Sequence, residues 1–182
     1  MTHELENFIL NYNTKSNLDQ ICFNYFENDK GGYYDLNDIF REDVSCRIRA
    51  LKYEVSVELL RDLFIAHCET SAKALGCYRY LGELGQALIE KSKTKYVLDY
   101  LHYSTCSFDS RMASSMVKWE EELVIEIRTF LEEEREKQTD LYLLKDIDFG
   151  LNHRFSEGWI KSLKLKKQLS VYKKRNKRKK KN

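Results

Sequence analysis

The chain has 182 residues, 42% hydrophobic and 13% aromatic, with no proline and a formal net charge of +2. That is enough apolar material for one domain with a real core, which excludes a chain disordered throughout. The charge is divided: residues 1–160 hold 19 of the 31 basic residues against all 29 acidic ones, a formal −10, while Lys161–Asn182 holds twelve Lys or Arg and no acid. Such a division marks an interaction tail, or an acidic surface that meets a basic partner.

In chain order, Thr2 caps a first helix with Leu5, Phe8, Ile9 and Tyr12 as its apolar stripe. Asn17 with Gln20 resembles a capping box, and Leu18, Ile21, Cys22, Tyr25 and Phe26 predict a second short helix. NDKGGYYD is a loop built on Gly31–Gly32. A third helix is predicted over Asn37–Tyr53, burying Ile39, Phe40, Val44, Ile48 and Leu51. The stretch Ser56–Lys91 organises the rest, as two amphipathic helices parted by a polar break near Glu69–Ser71. Leu60, Phe64 and His67 line the first; Leu75, Tyr78, Leu81, Gly85 and Leu88 line the second. Three glycines (Gly76, Gly82, Gly85) lie inside that apolar pattern, and each costs about 1 kcal/mol against alanine in a helix interior. Close helix packing is the expected compensation.

Thr94–Tyr103 is a further helix, with Tyr96, Val97, Tyr100 and Leu101 inward. The longest helix is predicted between Asp109 and Lys137, with Met116, Trp119, Leu123, Ile127 and Phe130 on its buried edge. Its glutamate-rich side reads as a solvated face, and no Glu-x-x-His accompanies it to suggest a di-iron site. KDIDFGLNHRFSEGW reads as a loop pinned by Phe149, Phe155 and Trp159, and a last helix starts at Ile160. The expected organisation is an all-helical domain over residues 1–160, then a basic helix end and disordered tail over 161–182.

No stretch approaches the ~20 apolar residues of a membrane span, and MTHELENFIL lacks the basic segment of a signal peptide. The five cysteines (Cys22, Cys46, Cys68, Cys77, Cys106) form no C-x-x-C pair. Free thiols in a reducing, cytoplasmic setting are the plain reading; a zinc site with His67 or His102 is the alternative. No phosphate loop, nucleophile elbow or metal-ligand motif occurs, so no cofactor or metal is expected.

Two family resemblances bear on function. Asp43-Val-Ser-Cys-Arg47-Ile-Arg-Ala50 and Asp109-Ser-Arg111-Met-Ala113 resemble the acid, arginine, small-residue sequence in the second helix of HEAT-like repeats. Ala74-Leu75-Gly76 follows Lys73 where those repeats carry arginine, and the spacings between copies are unequal. The resemblance implies a stack of antiparallel helices that binds macromolecules; the alternative fold is an irregular helical bundle. Arg61-Asp62-Leu-Phe-Ile-Ala-His67 is similar to the arginine–histidine motif of HEPN-domain ribonucleases. That likeness implies metal-independent RNA cleavage, with His67 moving a proton and Arg61 stabilising phosphate charge. Against it, residues six apart lie roughly 240° apart around a helix, and His67 falls on an apolar stripe.

The tail is a third candidate. Lys173, Lys174, Arg175, Lys177, Arg178, Lys179, Lys180 and Lys181 can hold phosphate backbones without sequence preference. The expectation is an all-α, non-catalytic interaction module of inhibitor, immunity or adaptor type, facing a basic protein. The alternatives are the HEPN-like ribonuclease and a nucleic-acid-binding regulator acting through the tail.

Overall fold

The computed structural model describes residues 2–27, 33–73, 76–115, 117–158, 160–162 and 164. Chain contacts divide the protein into two compact units, Met1–Lys118 and Trp119–Asn182. Both are helical, and a two-stranded hairpin in the first unit is the one sheet among the described residues.

In the first unit α1 (Thr2–Leu10) and α2 (Thr14–Asn17) precede a hairpin of β1 (Tyr25–Glu27) and β2 (Tyr33–Asp35). Five helices follow: α3 (Asp38–Ala50), α4 (Val57–Lys73), α5 (Leu81–Ser92), α6 (Val97–Ser104) and α7 (Phe108–Ser115). The centre is α4, whose Leu59, Leu60, Leu63, Phe64, Ala66 and Cys68 are buried almost all round. A helix apolar on so many sides needs neighbours on every side, and α4 packs on α5, α6 and α7. Gly85 makes the closest approach possible. A Cβ there would stand 2.9 Å from ring carbons of both Phe64 and Tyr100, whose rings stack at 5.3 Å. Gly82 likewise lies where a Cβ would meet the Ala113 carbonyl oxygen at 2.6 Å.

The second unit has α8 (Glu121–Lys137), α9 (Leu141–Phe149) and a π-helical turn over Gly150–Arg154. Val124, Ile127 and Leu131 form the buried stripe of α8. Trp119 packs on Phe155 at 5.6 Å, and both are buried. Arg128 donates to the Leu151 and Phe155 carbonyls, tying the π-helical turn to α8. Asp140 caps α9 by accepting from the Tyr142 and Leu143 amides.

The all-α expectation holds, and several elements differ in extent. Tyr25 and Phe26 lie in a strand and are exposed, because the helix from Thr14 gives way to a single tight turn over Leu18–Gln20. Ile39 is 80% exposed and Leu51 38%, so the buried face of α3 runs through Arg41, Val44, Ser45 and Ile48 instead. α4 continues through Glu69–Ser71 to Lys73, so the polar residues there do not break the helix. Tyr78 precedes α5, and Gly76 has a φ of 131°, a conformation glycine tolerates and a helix excludes. The predicted Asp109–Lys137 helix is two, because Val117–Glu120 is not helical and Trp119 anchors the second unit from outside α8. Residues 145–149, read as loop, continue α9. Met116, Trp159 and residues 165–182 lie outside the described residues, and with them the predicted tail.

Candidate interaction surface

The most constrained polar group of the first unit is Arg41, which is fully buried on the inner face of α3. Its Nη1 donates to the Ile21 carbonyl at 3.2 Å and approaches that of Cys22 at 3.5 Å. Its Nη2 donates to Asp35 Oδ2 at 2.5 Å, Asp38 Oδ1 at 2.8 Å and Thr70 Oγ1 at 2.8 Å. One guanidinium therefore joins the turn after α2, the end of the hairpin, the start of α3 and the last turn of α4. A charge withdrawn from water needs such acceptors, which Nη1 and Nη2 find while the buried Nε has no partner among the described residues.

Asp35 completes the latch. Its side chain is 7% exposed, and Oδ1 accepts from the Asn24 and Asn37 amides at 3.1 and 3.2 Å. Burial pushes its pKa up, but the bond from Arg41 and the two amides outweigh this and hold it below the ordinary value. Asn37 Nδ2 adds bonds to the Asp19 and Cys22 carbonyls at 2.8 and 2.9 Å.

The latch holds out an apolar surface. Phe26 and Tyr34 face each other across the hairpin, and they are 50% and 57% exposed. Leu36 follows at 63% and Ile39 at 80%, on the outer face of α3 with the exposed Glu42 and Asp43. Around this surface stand the exposed carboxylates of Asp19, Glu27, Glu42 and Asp43, while Asp35 and Asp38 pair with the buried Arg41. This is an aromatic and acidic face. A separate recess of about 410 Å³, lined by Ile9, Leu10, Leu51 and Val55 with the Arg47–Glu6 ion pair, opens between α1 and the end of α3.

Arg61 and His67 have separate surroundings. Arg61 donates to Asp99 at 2.5 Å and Asp62 at 3.0 Å, and its guanidinium lies 5.3 Å from the Tyr96 ring centre. Asp62, almost fully buried, also accepts from Tyr12 and Thr14 at 2.7 Å each, and burial, joined by the bond to Asp62 and its charge, raises the Tyr12 pKa. His67 is 3% exposed, bonds Ser45 Oγ through Nε2 at 2.8 Å and stacks on Tyr78 at 4.2 Å. Burial, aided by the Arg41 charge, lowers its pKa to about 3, so the ring is neutral at pH 7. The two residues share no partner. His67 joins α4 to α3, and Arg61 joins α4 to α6.

Among the described residues no group of three or more His, Cys, Asp or Glu could hold a metal ion, and no helix is long and apolar enough to cross a membrane. Lys173–Lys181 lies outside the described residues. Sequence reasoning missed Arg41, although the signal was there: a charged residue occupies the stripe continued by Val44, Ser45 and Ile48. Scanned against family models, curated proteins and solved structures, the chain matches none.

Proposed function

We propose that this chain is a non-catalytic α-helical interaction module, of inhibitor, immunity or adaptor type, that binds a basic protein. The observation that carries the reading is the exposed Phe26–Tyr34 pair, fixed by a buried arginine within acidic surroundings. Aromatic side chains on a rigid support lose little entropy on docking and commonly dominate binding energy. Flanking carboxylates favour a positively charged partner and speed its approach, with a strong dependence on salt. The neutral, sealed ring of His67 supports a structural role for that residue. Five unpaired cysteines support a reducing, cytoplasmic setting.

The test compares the parent with a Phe26→Ser/Tyr34→Ser/Ile39→Ser variant of unchanged melting temperature, both immobilised and exposed to extract of the source cells. The parent should retain a basic protein that rising salt releases and the variant does not hold. Equal retention by both proteins contradicts the proposal. Incubation of both with RNA in EDTA should leave the RNA intact; cleavage abolished by His67→Gln would favour the ribonuclease.

A further inference from the structure

A second cluster lies on the same unit, around the linker between α6 and α7. Cys106 is exposed in that linker, while Cys68 is fully buried in α4. Cys106 Sγ lies 3.2 Å from the Cys68 carbonyl oxygen, which brings the exposed thiol against the residue that carries the buried one. A chain of hydroxyls ends at the same sulfur: Ser71 Oγ to Ser107 Oγ at 2.8 Å, Ser107 Oγ to Ser110 Oγ at 2.7 Å, and Ser110 Oγ to Cys106 Sγ at 3.7 Å. Ser107 and Ser110 also cap each other's amides at 3.0 and 3.1 Å, which fixes the linker at the start of α7.

As a thiol Cys106 donates to the Cys68 carbonyl. As a thiolate it can accept from the Ser110 hydroxyl, with His102 one turn earlier adding a favourable field. The contact with Cys68, opposed by burial and helped by Ser110, brings the Cys106 pKa down to about 6, while burial drives that of Cys68 well up. An exposed thiolate beside a protonated, sheltered thiol is the pairing of an attacking and a resolving cysteine.

We propose that Cys106 is a redox-active modification site, oxidised by hydrogen peroxide and resolved by Cys68 into a disulfide that ties α4 to the α6–α7 linker. In the first step the Cys106 thiolate attacks one peroxide oxygen. An S–O bond forms, the O–O bond breaks, and hydroxide leaves and is protonated to water. Sulfur loses two electrons and peroxide gains them. In the second step the Cys68 sulfur attacks the Cys106 sulfenic acid. The S–S bond forms, the S–O bond breaks, and the departing hydroxide takes the Cys68 proton as water. The overall change is two thiols and one peroxide to one disulfide and two waters.

The exposed Cys46 serves as an internal reference. The folded full chain is treated with equimolar hydrogen peroxide at pH 7, with and without dimedone, and mapped by non-reducing peptide mass spectrometry. The parent should show a Cys68–Cys106 cross-link, and Cys68→Ala should show a dimedone adduct on Cys106. Iodoacetamide should alkylate Cys106 roughly tenfold faster than Cys46 at pH 7, with half-maximal rate near pH 6. Oxidation of Cys46 as fast as Cys106, or a parent without the Cys68–Cys106 cross-link, overturns the proposal.

Discussion

Replacing Arg41 with methionine keeps most of the side chain's volume and removes its charge. The Ile21 and Cys22 carbonyls lose a donor, and Asp35, 7% exposed, loses its cation. Removing one partner of a buried pair costs about 3–5 kcal/mol, because the remaining charge is left unpaired in a poor solvent. The three-residue strands add little stability of their own, so the protein has a cheaper escape: the hairpin can detach and return Asp35 to water. The loss in Arg41→Met should therefore fall near the lower figure, with the hairpin amides exchanging faster than those of α4. Adding Asp35→Asn should restore about 1–3 kcal/mol relative to the sum of the single changes. Urea unfolding of the parent, both single variants and the double variant measures this coupling. A loss below about 1 kcal/mol, or strict additivity, would refute the latch.

Three further outcomes follow from the same packing. Gly85→Ala should destabilise the first unit by about 1–3 kcal/mol, since its methyl group meets Phe64 and Tyr100 at 2.9 Å; the gain of about 1 kcal/mol expected from helix propensity alone would contradict the close approach. Trp119→Ala should cost about 3–5 kcal/mol through the cavity left beside Phe155, and a loss under about 1 kcal/mol by urea unfolding would show the ring is not packed as described. His67 has its folded pKa lowered to about 3 against about 6.5 in the unfolded chain, so the unfolded state binds the proton first. Stability should thus fall as pH drops from about 6.5 toward about 3, and His67→Gln should flatten that part of the profile; parallel profiles for the two proteins would refute the assignment.

The helical class was legible because period-3.6 stripes such as Leu81, Gly85 and Leu88 recur without proline, although in α8 the buried face turns to Val124, Ile127 and Leu131 and leaves the expected Leu123 and Phe130 only half-buried. The compensation for Gly82 and Gly85 was legible too, as both sit where a side chain would collide. The surface was not. Tyr25 and Phe26 fit an apolar helical stripe, and it is the antiparallel pairing with Tyr33–Asp35 that makes this segment a strand. A buried arginine obeys partners as far as 29 residues away, which local pattern does not encode. The same limit applied at Glu69–Ser71, where Thr70 is polar because it meets Arg41 inside, not because the helix ends.

Docking at the hairpin is the central claim, and a hydrogen-exchange footprint tests it most directly. The chain alone and saturated with the basic protein it retains should be compared peptide by peptide at low and high salt. The account predicts protection confined to the hairpin and the outer face of α3, around Phe26, Tyr34, Leu36 and Ile39, fading as salt rises. Protection centred on another surface, with the hairpin amides unchanged, would contradict it.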